Sequence, residues 1–189
     1  YLSTRLLCPT EAWRVSSLPD RHHTNQRLRV PEEAYLIQAI DDIPDCYLIV
    51  KFRPNLLTKD QLENLLPVSD NYCISTEEPF LEVLGAVDLL VSFSSTTIEE
   101  ALQNNIPVLL YNKYNRYKHI LGMDLSPVVP QNGVSAVYNI NHEDDLLFGL
   151  QWILKNHLSQ DTDVEKLFCK YQYAERDRIA LSTVIKLAV

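Results

Sequence analysis

The stretch from Asp88 to Asn112 constrains the fold more than any other part of the chain. Leu89, Leu90 and Val91 form the short apolar run of a strand covered on both faces. Ser94, Ser95, Thr96 and Thr97 follow where a helix should begin, and residues of this type cap the free amides there. Ile98, Ala101 and Leu102 recur at helical spacing and should face a sheet, with Glu99 on the flank of that face and Glu100 nearly opposite it. Asn104-Asn105 closes the helix, since Asn often takes the left-handed position of a terminator. Pro107 bars continuation, and Val108, Leu109 and Leu110 supply the next buried strand. Strand, hydroxyl-rich turn, helix and parallel strand together make one winding unit of an α/β sheet. A helix beginning just past a parallel strand favours anions, so the hydroxyl cluster points to a phosphate-bearing ligand.

The rest of the chain repeats this unit. Leu6-Leu7-Cys8 reads as a first strand ended by Pro9, and the polar segment from Thr10 to Arg29 as a long loop, a common seat of function. A helix is expected from Pro31 to Ile43, a strand at Cys46–Val50 and its exit at Lys51-Phe52-Arg53-Pro54. Thr58 to Leu66 should be a short helix, with Thr58 and Gln61 as a capping box. A strand at Tyr72–Ser75 precedes a helix from Pro79 to Ala86 with Phe80, Leu81 and Leu84 on its apolar side. Past the central unit come a long loop from Lys113 to Gly133, a strand at Ala136–Tyr138, and helices at His142–His157 and from about Asp163 to Ala174. Strands alternating with helices predict a Rossmann-like, doubly wound parallel sheet. No linker or repeat interrupts residues 1–189, so a single domain is expected, with 156–189 as carboxyl-terminal helices.

Composition narrows the function. Apolar residues at 46% and charged residues at 22% are those of a globular chain. A net charge of -8 argues against nucleic acid as a partner, which needs a basic surface, but not against one local phosphate site. No run reaches the roughly 20 apolar residues of a membrane span. Cysteines 8, 46, 73 and 169 are scattered without a CxxC pair, as expected of reduced thiols in a cytoplasmic protein. Tyr1 in place of Met is expected of a processed product or a piece of a longer chain.

The order of elements and four local stretches resemble the carboxyl-terminal, donor-binding half of GT-B glycosyltransferases and of the related UDP-N-acetylglucosamine 2-epimerases. Glu100-Ala101 followed by Asn105-Ile106-Pro107-Val108 is similar to their glutamate-alanine pair leading to a glycine-x-proline and a buried strand. Ser94-Ser95-Thr96 with Glu99-Glu100 stands where the epimerases carry serine-glycine-glycine and a glutamate pair. Lys51-Phe52-Arg53-Pro54 is similar to a lysine-x-histidine-proline strand exit common in capsule and surface-polysaccharide enzymes. Leu6 to Trp13 matches the opening strand with its proline and polar loop. The chain departs from the pattern in lacking the turn glycines, in carrying Arg53 at the histidine position and in carrying Ser92, which is not acidic, where the first glutamate of the two-glutamate retaining-transferase motif would fall.

The resemblance implies one half of a GT-B fold, a fragment of a longer two-domain protein, with an amino-terminal half in the same or a partner chain. It implies a glycosyltransferase of bacterial surface-polysaccharide synthesis, acting without metal or separate cofactor on a nucleotide-sugar donor and a glycan acceptor. Ser94, Ser95, Thr96 and Thr97 would bind the diphosphate, Glu100 the ribose hydroxyls, and Arg53 with Lys51 would neutralise the leaving diphosphate. Thr10 and Glu11 would face the same cleft. Two other readings stay open: a non-catalytic nucleotide- or protein-binding α/β domain, and an epimerase-like relative.

Other candidates carry less. His22-His23 are adjacent, and neighbouring side chains seldom converge on one ion. Tyr111, Tyr114 and Tyr117 with Lys113, Arg116 and Lys118 form a basic aromatic patch able to stack a base or meet a glycan, or simply to pack a loop. Asp41, Asp42 and Asp45 are expected to end a helix and start a turn, and Asp144-Asp145 to open one.

Overall fold

The computed structural model describes residues 4–9, 32–51, 58–92, 97–111, 120–131, 133–157 and 164–171; for 4–9, 32, 164, 165 and 170 it describes the backbone alone. The described strands are β1 (Thr4–Pro9), β2 (Cys46–Lys51), β3 (Tyr72–Ser75), β4 (Leu89–Ser92), β5 (Val108–Tyr111), β6 (Met123–Asp124) and β7 (Val137–Ile140). They form one sheet in the order β3-β2-β1-β4-β5-β7-β6. Every described pairing is parallel. The helices are α1 (Glu32–Asp41), α2 (Lys59–Glu63), α3 (Phe80–Leu84), α4 (Thr97–Gln103), α5 (Leu146–Asn156) and α6 (Val164–Phe168).

Alternate strand residues divide the core in two, because successive side chains leave opposite faces of a sheet. Leu48, Val50, Leu89, Val91, Leu109, Tyr111, Tyr138 and Ile140 pack on one face, against Leu36, Ile37 and Ile40 of α1, Leu62 of α2 and Leu146, Leu150 and Ile153 of α5. Leu90, Val108, Leu110 and Val137 pack on the other, against Val83 and Leu84 of α3, Ile98, Ala101 and Leu102 of α4 and Phe168 of α6. A continuously apolar strand such as β4, with every residue buried, is what two covered faces demand. The sheet is the doubly wound, Rossmann-like α/β arrangement read from the alternation of elements.

Local chemistry fixes the ends of these elements. At α2, the Thr58 side chain accepts from the Gln61 amide while the Gln61 side chain accepts from the Thr58 amide. At α4, Asn105 takes a left-handed φ of 59°, its amide bonds Leu102 O, and the Ile106 amide bonds Ala101 O. These two bonds are a Schellman terminator, with Asn in the place usually held by Gly. Asp45 also adopts a left-handed φ, 55°, in the turn between α1 and β2. Asp41 Oδ1 accepts from Ser69 Oγ and Asn71 Nδ2, tying the end of α1 to the approach to β3. The aspartates here thus do end a helix and begin a turn.

Three readings of the sequence need correction. Leu81 is 60% exposed; the inward side of α3 is Val83 and Leu84 with half-buried Phe80, a spacing of three and four residues that turns Leu81 outward. The long loop after β5 contains β6, whose two residues are too few to show periodicity. Tyr111 belongs to the core at 2% exposure, so it is not a member of an exposed aromatic patch. Its hydroxyl instead reaches Glu143 Oε2 at 3.5 Å. Tyr114 and Tyr117, with the basic residues between them, lie outside the described residues, as do His22 and His23.

Candidate functional site

The strand order itself picks out one place. From β1 the chain steps outward through β2 to β3; it then returns to place β4 on the other side of β1 and steps outward again through β5. Leu6 and Leu7 of β1 pair with Leu89 and Leu90 of β4 across this reversal. Connections that diverge on either side of such a switch point leave a crevice beyond the carboxyl ends of the two strands, where ligands of open α/β sheets bind.

Two segments singled out in the sequence are anchored at these two ends. Pro9 ends β1, and Thr10 and Glu11 follow it; Ser92 ends β4, and Thr97 opens α4. Thr10, Glu11, Arg53, Ser94, Ser95 and Thr96 lie outside the described residues. Thr97 is buried on the first turn of α4, beside the core residue Ile98. Glu99 is exposed and Glu100 half-buried, so Glu100 is the more enclosed of the pair, where the helical phasing placed it farther from the apolar side.

Lys51 ends β2 beside Pro9, but its ammonium leans the other way. It donates to Thr76 O at 3.0 Å and Ser75 O at 3.5 Å, just past the end of β3. Ser75 Oγ in turn donates to Glu78 Oε2. That bond, together with Glu78's own amide and the nearby Lys51 and Lys59 charges, holds the Glu78 carboxyl below its usual range. The lysine therefore fastens the β2 and β3 exits together, on the side of β2 away from β4.

Sequence reasoning named Ser92 only as a departure, the non-acidic residue standing where a glutamate would fall, and not as a site residue. It is fully buried, and its hydroxyl has no hydrogen-bond partner among the described residues. The available signal was slight: one hydroxyl ending an otherwise aliphatic strand, directly before the hydroxyl cluster.

A groove of about 290 Å³ lies elsewhere, between α1 and the 3-10 turn Glu143–Asp145 that precedes α5. Asp42, Glu143 and Asp144 line it, and three carboxylates make it a poor seat for a phosphate. At the amino end of β7, Tyr138 Oη lies 2.6 Å from His157 Nδ1 and accepts from the Ser135 amide at 3.0 Å. Burial pushes the Tyr138 hydroxyl up to about 12 and pushes His157 below its ordinary value. Among the described residues no group of His, Cys, Asp and Glu side chains is arranged to hold a metal ion, and no helix is long and apolar enough to cross a membrane.

No protein-family model and no curated protein sequence matches the chain. Solved structures do share its fold. UDP-GlcNAc 2-epimerase from Neisseria meningitidis, bound to UDP-GlcNAc, superposes on 97% of this chain and 44% of its own, with a TM-score of 0.55 at 12% identity. Spinosyn rhamnosyltransferase complexed with thymidine diphosphate superposes on 89% of this chain and 40% of its own, with a TM-score of 0.52 at 14% identity. The glycosyltransferase of kitacinnamycin covers 90% and 39%, with a TM-score of 0.50 at 17% identity. The chain thus spans less than half the length of each of these proteins. Its fold is the Rossmann-like α/β architecture found in one half of UDP-GlcNAc 2-epimerases and GT-B glycosyltransferases.

Proposed function

We propose that this chain is the nucleotide-sugar-binding half of a GT-B glycosyltransferase of surface-polysaccharide synthesis. The observation that carries the proposal is the reversal of strand order between β1 and β4, at whose carboxyl ends the predicted ligand segments are anchored. In this reading Ser94, Ser95, Thr96 and Thr97 receive the donor diphosphate through hydroxyls and amides. Glu100, half-buried on the first turn of α4, accepts from the ribose hydroxyls. Arg53, two residues beyond the end of β2, supplies the positive charge that stabilises the departing diphosphate. Lys51, bound to the β3 exit, adds charge at one remove and steadies the strand end from which Arg53 extends. Thr10 and Glu11 border the same crevice from β1. The glycan acceptor and the remaining catalytic groups come from an amino-terminal half, in the same or a partner chain, in the cytoplasm; no metal or separate cofactor takes part.

Thermal-shift measurements against UDP, CMP, GDP, dTDP and their sugars test the site. One nucleotide should raise the melting temperature in a concentration-dependent way, because a ligand that binds only the folded state stabilises it by mass action. Glu100→Ala and Ser95→Ala should each weaken that effect, by about tenfold in affinity for a charge-assisted or phosphate hydrogen bond. A chain that responds to none of these ligands would rule the donor-site reading out.

A further inference from the structure

His157 closes α5 beside the amino end of β7. α5 packs Leu146, Leu150 and Ile153 into the core on one face of the sheet, while Phe168 of α6 is buried in the core on the other. Between them the buried His157 ring stands edge-on to Tyr138 and to Phe168, with ring centroids 5.7 and 6.4 Å away. Tyr138 Oη accepts from the Ser135 amide at 3.0 Å and lies 2.6 Å from His157 Nδ1. A hydroxyl that accepts there still has one proton to give, and a buried one is satisfied when Nδ1 is bare and takes it. The neutral ring, protonated on Nε2, fits this arrangement. An imidazolium carries hydrogen on both nitrogens and would set two donors against each other at Nδ1. Among the described residues, the groups set against the ring are the Tyr138 hydroxyl from β7, the Ser135 main chain ahead of it and the Phe168 ring from α6. Burial pushes His157 below its ordinary value and outweighs the Ser135 main chain, which favours the charged ring. Lys155 of α5 and Lys166 of α6 are exposed, and the Glu165 side chain lies outside the described residues.

We propose that His157 is a pH-sensitive latch for α6: the neutral ring seats Phe168 and holds the helix on the sheet, and the protonated ring releases the helix while the sheet stays folded. α6 can leave alone because no described strand follows it, so its departure breaks no described strand pairing. Its anchor on the sheet is Phe168, with Leu167 and Tyr171 half-buried beside it. A segment held by so few buried groups opens before the core does. Release returns the ring to water, where it takes a proton near 6.5, whereas the docked ring does so only below that value. Protons therefore favour the released form. Docking is complete above 6.5 and weakens as pH falls below it, by up to about tenfold per pH unit for one proton. The latch lies at the edge of the sheet opposite the proposed crevice, so neither reading depends on the other.

Hydrogen-exchange mass spectrometry of wild type and His157→Gln at about pH 7.5 and about pH 5.5 tests the latch, once rates are corrected for the intrinsic pH dependence of exchange. In wild type, residues 164–171 should exchange up to about tenfold faster at the lower pH, after that correction, while β4 and β5 stay protected. The same segment of His157→Gln should lose this pH response. Residues 164–171 that keep their protection at the lower pH, or lose it only together with β4 and β5, overturn the proposal. A response retained in His157→Gln overturns it as well. An NMR titration of the His157 ring in wild type adds a measure that needs no variant: its midpoint should coincide with that of α6 release, and a midpoint at a different pH defeats the latch.

Discussion

At the residue scale, buried polar groups differ in what completes them. His157 is 5% exposed, its Nδ1 bonded to Tyr138 Oη and its ring edge-on to Tyr138 and Phe168. It links α5 to α6 at the amino end of β7, away from the crevice. Desolvation by these neighbours lowers its folded-state pKa from 6.5. Between the lowered value and 6.5 the unfolded chain binds more protons than the folded one, so stability must rise with pH there. The His157 contribution is therefore complete above 6.5 and is lost as pH falls below it. Urea unfolding midpoints should drop between pH 7 and about pH 5.5, before most carboxylates begin to titrate. In His157→Gln the protein should be less stable at pH 7 yet show a flatter slope across that window; an unchanged slope would assign the pH dependence to other groups. Ser92 differs in kind, because nothing within the described chain completes it.

At the element scale, the terminator of α4 tests how local chemistry positions the central unit. Asn105 at φ 59° is a conformation that costs an ordinary L-residue about 1 kcal/mol. Asn105→Ala should lose about that amount in denaturant unfolding, while Asn105→Gly should be close to neutral. A neutral Asn105→Ala would show that the strand after it, not the left-handed residue, directs the chain. The terminator and the capping box of α2 were legible in the sequence because each depends on residues adjacent in the chain. The helices and strands of the central unit were legible for the same reason. The inward side of α3 was not, since five residues do not define a stripe and the choice between Leu81 and Val83 was made by the sheet beneath.

At the scale of the whole molecule, the parallel sheet places every strand exit on one edge. A ligand in the crevice should slow amide exchange at the ends of β1 and β4 and the start of α4, leaving Ser135 and the end of α5 unaffected. Hydrogen-exchange mass spectrometry with and without the nucleotide selected by thermal shift checks this. Protection centred on Tyr35, Asp42 and Asp144 would move the site to the acidic groove beside α1.

Sequence alone determined the alternation of strands and helices, the burial of β4 and β5 on both faces, and the caps and terminators, because these follow from short-range periodicity and backbone preference. It also marked the hydroxyl cluster after β4 and the loop after β1 as separate points of interest. Only the tertiary structure set the strands that precede them, β1 and β4, side by side, by returning the chain from β3 to the far side of β1. It alone turned the Lys51 ammonium toward β3, drew Tyr111 into the core and buried the Ser92 hydroxyl with no partner among the described residues. Each of those outcomes depends on strand order and on packing between residues distant in the chain, which no local pattern encodes.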